Sequence, residues 1–385
     1  MKKKGEPESH QKDARNGCVS RFSFFLFHFS FNTKETAGRS LDRLARRRFL
    51  RNPLAIVSLS VIGLFLLVAI LGYLVTPDHT PYCNQQYLEL ATLKPFSKAT
   101  FLNTSDLQPQ TSNLLRRMAK GEPLPYTATP IIEYRYARDS IIATPYNGDT
   151  IVVAASEASV DTRTFILGTD GYGRDILSML MIGSRVSLSV GFIAIAIALL
   201  LGITLGALAA YYGGWVDNLI LWLINVVWSI PTVLLVIAIT FVLGKGFWQI
   251  FIAVGLTMWV DIARVVRGEV LSIKEKEYIE ATRALGYSTF RTIFRHILPN
   301  IVGAVVVVAS SNFASAILLE AGLSFLGIGV QPPMPSWGMM VKENYGYILL
   351  DSAYLALLPG LAIMLVVLAF MLLASALRDA LDVRR

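Results

Sequence analysis

The chain has 385 residues, of which 54% are hydrophobic, and it carries a formal net charge of +8. This apolar content excludes an ordinary soluble domain. Two cysteines and four histidines show no spacing typical of a metal site. A membrane surface explains the positive charge more simply than a nucleic acid does, so no nucleic-acid partner is expected.

Residues 1–52 precede the first apolar run and contain 13 of the Lys and Arg residues. The apolar stretch at 21–31 is too short to cross a bilayer. A secretory signal is disfavoured, because no small-residue cleavage site follows it. We expect residues 1–38 to be a disordered or interfacial tail, or an over-extended start. Residues 40–51 predict a basic amphipathic helix on the inner leaflet, in contact with membrane lipid.

Six apolar runs approach the roughly 20 residues that are needed to cross a bilayer. They cover residues 53–75, 186–212, 219–243, 247–263, 301–325 and 353–377. The pattern predicts an all-α polytopic membrane protein with six transmembrane helices, of which the fourth is the shortest. Pro231 predicts a kink in the third helix. Basic residues before the first helix and within the loop 264–300 predict that both termini are cytoplasmic.

Residues 76–165 separate the first helix from the core at 166–385 and are predicted to form an external insert. Asn147-Gly148 lies between the β-prone segments 141–144 and 150–154, which predicts a β-hairpin. A short helix is predicted over 112–120, ended by Gly121. We expect a small mixed α/β unit packed on the subunit itself, with contact to a substrate-delivery protein as the alternative.

Three charged residues follow the insert, just before the second span: Asp170, Arg174 and Asp175. Asp170 is a candidate cap for the next helix. Arg174 and Asp175 are expected to pair locally or with a second subunit. We favour a structural role for this outer-side motif over direct contact with a substrate.

Residues 275–300 form a charged, helix-forming segment between two apolar runs. Residues 277–285 predict a short helix, and Gly286 can adopt the left-handed conformation that ends one. Ser288 can cap a second helix, which we expect Pro299 to stop after Leu298. A helical hairpin joined to spans on both sides is a segment that a soluble partner can bind and displace.

This hairpin resembles the EAA loop of permease subunits in bacterial ATP-binding-cassette importers. The matching residues are Glu280, Ala281, Gly286, Leu298 and Pro299, with Thr282 at the second Ala and His296 at the Ile of the pattern. Two further stretches, 167–188 and 321–338, resemble the C-type permease subunits of dipeptide and oligopeptide importers.

The resemblance implies a non-enzymatic inner-membrane subunit that forms half of a translocation pore for di- and oligopeptides. It implies a second permease subunit, two ATP-binding subunits and an extracytoplasmic binding protein as partners. The coupling residues that it implies are Glu280, Ala281, Ala284, Leu285, Gly286 and Tyr287. Nickel chelates or another small solute stay open as cargo, and a secondary transporter or channel independent of ATPases is the lower-ranked alternative.

No phosphate-binding Gly-x4-Gly-Lys-Ser/Thr motif occurs in the sequence. We therefore expect this chain to bind no cofactor and to leave ATP and magnesium to its partner subunits.

Glu320 lies within the fifth apolar run, where a carboxylate must face protein or water. Asn312 and Ser315 share its helix face, so the three residues are candidates for a pore lining. A hydrogen-bond network with a partner subunit is the alternative. Asp217 and Asp261 are expected near the membrane interface, close to the ends of their spans.

Overall fold

The computed structural model describes residues 38–104, 113–244 and 246–381. The predicted tail before residue 38 and the predicted helix start at 112 lie outside these residues. The helices are α1 (Gly38–Arg51), α2 (Pro53–Val75), α3 (Leu114–Lys120), α4 (Ile176–Tyr212), α5 (Gly214–Ser229), α6 (Thr232–Leu243), α7 (Phe247–Lys274), α8 (Glu277–Ala284), α9 (Thr289–Thr292), α10 (Leu298–Phe325), α11 (Trp337–Asn344) and α12 (Tyr354–Leu381). The strands are β1 (Ser97–Thr104), β2 (Thr127–Ala137), β3 (Ser140–Pro145), β4 (Ile151–Ala154) and β5 (Ala158–Phe165).

Among the described residues, five helices are long and apolar enough to cross a membrane, and the bent pair α5–α6 makes a sixth span if it is counted as one. The fourth span differs from the sequence prediction, because α7 continues to Lys274 and has 28 residues. The kink predicted at Pro231 is a full break, at which α5 and α6 meet at 96°. Proline lacks an N–H and disfavours a helical residue before it, and Ile230 is accordingly extended (φ −96°, ψ 128°).

The centre of the bundle is the close pairing of α4 with α7. Small residues allow this approach. A Cβ at Gly202 would lie 2.7 Å from the Cβ of Ile262, and one at Gly206 would lie 2.5 Å from the carbonyl oxygen of Ala263. The two helices therefore pack with their backbones nearly in contact.

The insert contains a five-stranded antiparallel sheet with the order β4-β3-β2-β1-β5. The predicted hairpin is confirmed, since β3 and β4 pair on either side of Asn147-Gly148. The short helix is also present as α3, and Gly121 ends it with φ +72°. Each face of the sheet has its own small apolar cluster, one around Phe101 and one around Ile141.

The insert is fastened to the loop that precedes α4. The N–H of Leu93 donates to Oγ1 of Thr169 over 2.8 Å, and the hydroxyl of Tyr354 donates to the carbonyl of Leu93 over 2.8 Å. At Gly173 (φ +73°) a Cβ would lie 1.8 Å from the carbonyl oxygen of Tyr87. The insert therefore packs on its own subunit, as predicted.

Candidate functional site

The hairpin between α7 and α10 turns through a Schellman motif. After α8, the N–H of Gly286 donates to Arg283 O (2.9 Å) and the N–H of Tyr287 donates to Thr282 O (3.1 Å). Gly286 has φ +73°, the left-handed value that the sequence predicted. Ser288 then caps α9, with its Oγ accepting from the N–H of Arg291 over 3.4 Å.

The prediction that Pro299 stops the second helix is wrong. A π-helical turn over Ile293–Ile297 connects α9 to α10, so helix runs from Thr289 to Phe325. The N–H of Leu298 donates back to Ile293 O, five residues earlier. This wider turn places Pro299 in the first turn of α10, where a missing N–H costs little.

The surface of the hairpin is apolar at its tip. Leu285 is 70% exposed, Phe290 69% and Phe294 55%. The rings of Phe290 and Phe294 lie 4.2 Å apart and form one aromatic surface. The sequence named Ala284 and Leu285, which are exposed, but missed both phenylalanines. Their spacing of four residues on a helix was the available signal.

The other predicted coupling residues divide into exposed and packed groups. Glu280 and Ala281 are exposed, and Glu280 forms no ion pair within the described residues. Tyr287 is half-buried between the ring of His296 and the guanidinium of Arg291, which lies 4.3 Å from its centroid.

The base of the hairpin is tied to the end of α4. The ammonium of Lys274 donates to the carbonyls of Ala210 (3.1 Å) and Tyr211 (2.7 Å). A cation at the C-terminal end of a helix also interacts favourably with the helix dipole. The guanidinium of Arg283 lies 5.5 Å from the Tyr211 ring. The hairpin is therefore held from α4 as well as from α7 and α10.

The outer-side motif is a buried ionic cluster at the other end of α4. The guanidinium of Arg174 donates to Asp170 (2.7 Å from Nε) and to Glu343 of α11 (2.5 Å from Nη2). Asp170 does not cap α4, because its carboxylate accepts from Arg174 and from the N–H of Tyr172. The cap is Asp175, which accepts from the N–H of Ser178 over 2.9 Å. Burial raises the pKa of Asp175, against the effect of its bonds to Ser178. All three predicted residues are thus hydrogen-bonded within the chain, and Arg174 pairs with Asp170 and Glu343 rather than with Asp175.

Glu320 is fully buried inside the subunit and does not line an open face. Its side chain is 0% exposed and accepts from the hydroxyls of Ser187 (3.0 Å) and Ser324 (2.8 Å). The pore-lining expectation is wrong for Glu320 in this conformation. A network of the predicted kind exists, but it joins α4 and α10 of one chain rather than two subunits.

Asn312 and Ser315 do not extend this network. The amide of Asn312 donates to the carbonyl of Met258 on α7 over 3.3 Å. The hydroxyl of Ser315 donates to Ser311 O within its own helix, over 3.3 Å. The three residues predicted to share a helix face therefore do not form one polar stripe, because each bonds to a different neighbour.

Comparison with known proteins identifies the family. Residues 202–385 match the model described as "Binding-protein-dependent transport system inner membrane component", and residues 40–95 match "N-terminal TM domain of oligopeptide transport permease C". The chain is 43% identical over 216 residues to the glutathione transport system permease protein GsiD of Pectobacterium atrosepticum, covering 56% of this chain and 71% of that protein. The chain belongs to the binding-protein-dependent transport permeases.

A second relative of this permease, the dipeptide transport system permease protein DppC of Alkalihalophilus pseudofirmus, is 44% identical over 215 residues, which is 56% of this chain and 70% of that protein. Among solved structures, an inward-facing MetNI methionine ABC transporter is similar with a TM-score of 0.44 and 20% identity, over 55% of this chain and 98% of that one. The two family models do not cover residues 96–201, which include the strands of the insert.

The family and the apolar helices together define a multi-pass inner-membrane transport subunit of the C-type peptide permease group.

Proposed function

We propose that this permease imports short peptides as one half of a pore driven by separate ATPase subunits. The names of the relatives, a glutathione permease and dipeptide permeases, support a peptide cargo. A second permease subunit completes the pore, and an extracytoplasmic binding protein delivers the peptide. A nickel chelate or another small solute is the alternative cargo.

The proposed orientation places the hairpin and both ends of the chain in the cytoplasm. The hairpin segment 275–300 carries four Lys and Arg residues, and 13 more precede the first span. With α5–α6 counted as one span, α2, α4, α5–α6, α7, α10 and α12 cross six times and return the chain to its starting side. The sheet of the insert and the Arg174 cluster then lie outside.

In this proposal the hairpin is the element that the ATPase subunits bind. One observation carries it: an apolar tip of Leu285, Phe290 and Phe294 projects from a short, well-capped hairpin. Such exposed aromatic anchors are typical of protein interfaces. Only two residues, Glu275 and Lys276, separate α8 from α7, and α9 is continuous with α10. A displacement of the tip would therefore move both spans, while ATP and magnesium act on the partner.

Replacement of Gly286 tests this coupling. The residue has φ +73° and nothing within 4 Å of an added Cβ, so Gly286→Val adds backbone strain without a clash. We expect a cost of about 1–2 kcal/mol at the turn. Peptide-stimulated ATP hydrolysis by the reconstituted complex should fall strongly, while the variant still inserts into the membrane.

Gly286→Asn is the matched control, because asparagine tolerates the left-handed conformation. It should retain most of the stimulated hydrolysis. Equal hydrolysis in the valine variant and the parent would contradict the coupling role of the hairpin.

A further inference from the structure

Two charged side chains are exposed in the middle of a membrane-spanning helix. Asp261 and Arg264 lie one turn apart on α7, and both are exposed. Asp261 is 14 residues from Phe247 and 13 from Lys274, which places it about 20 Å from either end of the helix. The fourth span predicted from the sequence ends close to Asp261, whereas α7 continues for 13 residues beyond it.

Nearer the end of α7, Arg267 forms an ion pair, whereas Asp261 does not. Arg267 donates from Nε and Nη2 to the carboxylate of Asp217 on α5, over 2.6 and 2.7 Å. This pair is six residues closer to Lys274 than Asp261 is, or about 9 Å along the helix. Asp261 has no side-chain hydrogen bond or ion pair within the described residues. A carboxylate in that position cannot face lipid without a large cost.

The break in the third span lies beside the same face of α7. The guanidinium of Arg264 stacks on the ring of Trp228, with Cζ 3.4 Å from the centroid. Trp228 is in the last turn of α5, three residues before Pro231, and Ile230 and Pro231 at the break are exposed. Non-helical backbone at membrane depth is tolerated only where protein covers it or where it borders water. The unpaired carboxylate of Asp261 and the exposed helix break both indicate that this face of α7 does not contact lipid.

We propose that the face of α7 bearing Asp261 and Arg264 lines the aqueous passage, and that Asp261 receives the cationic end of the transported peptide. This inference rests on the proposed function for the identity of the cargo. Peptides carry an α-ammonium group at neutral pH, and a carboxylate forms strong charge-assisted hydrogen bonds with such a donor. Arg264, which stacks on Trp228, places a positive charge one turn away from Asp261. There it can bind a carboxylate of the same peptide.

Cysteine labelling tests whether the face is wet. In a background without Cys18 and Cys83, Asp261→Cys and Gly268→Cys would be treated with a membrane-impermeant sulfonated methanethiosulfonate, on the co-purified, reconstituted complex. Gly268 is exposed on the same face and has nothing within 4 Å of an added Cβ. Leu200→Cys is the control, since Leu200 is 69% exposed on α4 but has only apolar neighbours in sequence.

We expect labelling at positions 261 and 268 in at least one nucleotide state, and none at position 200. Inertness of position 261 in every nucleotide state would overturn the proposal and assign Asp261 to packing against a second subunit. Labelling requires neither transport nor ATP hydrolysis, so this result stands even if the proposed importer function fails.

Protection of the Gly268→Cys variant tests the recognition step. Dialanine should slow its labelling, and the half-protecting concentration should rise about tenfold when Asp261→Asn is added. N-acetyl-dialanine, which lacks the ammonium group, should require the higher concentration in both backgrounds. Equal protection by the two compounds with Asp261 intact would overturn the ammonium contact, while leaving the labelling result to decide on the passage.

Discussion

The two ends of α4 carry polar regions of opposite construction. At its start, Asp170, Arg174 and Asp175 are buried, and the carboxylates are bonded to Arg174, Ser178 and backbone N–H groups. Near its end, the hairpin exposes Leu285 and Phe290, and its arginines lie over tyrosine rings, Arg283 over Tyr211 of α4 and Arg291 over Tyr287 of the hairpin itself. The charges of the first region are paired within the chain, whereas the second region exposes apolar side chains that a partner protein could cover.

This difference predicts different responses to substitution. Changes in the buried cluster should reduce the stability of the subunit, because they leave charges without partners. Changes at the hairpin tip should spare stability and affect only association.

The largest loss of stability is expected for Arg174→Met. The substitution leaves Asp170 and Glu343 facing each other in a buried site without their shared cation. Breaking a buried pair in this way typically costs about 3–5 kcal/mol. Thermal unfolding of the purified subunit in detergent would show a clearly lowered midpoint.

Lys94→Met is the matched control for that measurement. Lys94 pairs with Asp351, but both side chains are largely exposed. Exposed pairs contribute little, so its midpoint should match that of the parent. Similar midpoints for the two variants would contradict the structural role of the cluster.

An intermediate effect is expected at Glu320. Glu320→Leu leaves the hydroxyls of Ser187 and Ser324 without their acceptor, which should cost about 1–3 kcal/mol. Glu320→Gln keeps an acceptor oxygen and should cost less. The midpoints of thermal unfolding should therefore fall in the order parent, glutamine, leucine. A leucine variant as stable as the parent, but altered in transport, would restore the pore-lining role.

The elements that local signals determine were predicted well. Gly286 ends α8 and Asn147-Gly148 turns the hairpin between β3 and β4, because these residues have the rare backbone preferences that the turns need. The apolar runs located the spans for a similar reason, since length and hydrophobicity alone decide whether a helix can cross a bilayer.

The features that depend on distant partners were not predictable in the same way. Asp170 and Asp175 are equally good capping residues in the sequence, and only the position of Arg174 and Glu343 decides between them. Likewise, the sequence shows on which face of its helix Glu320 lies, but not which residue that face contacts. The contact is Ser187 on another helix. The stop predicted at Pro299 was wrong because a π-helical turn, which is rare in proteins, precedes the proline and places it in the first turn of α10.

The smallest effect on stability, with a large effect on association, is expected at the tip of the hairpin. Phe290 and Phe294 are mostly exposed and contact each other rather than the core. The combined substitution Phe290→Ser and Phe294→Ser should therefore leave the midpoint of thermal unfolding nearly unchanged. If the ATPase subunits cover this tip, the loss of two aromatic anchors should cost about 2 kcal/mol or more of binding free energy. Co-purification of the ATPase subunits with the variant would show this loss as a reduced yield of the complex.

The control is a substitution in the insert. Tyr134→Ser with Tyr136→Ser removes a comparable exposed aromatic pair, with ring centroids 5.7 Å apart, and should leave the yield of the complex unchanged. A complex that survives the hairpin substitutions but not those in the insert would reverse the assignment of the two surfaces.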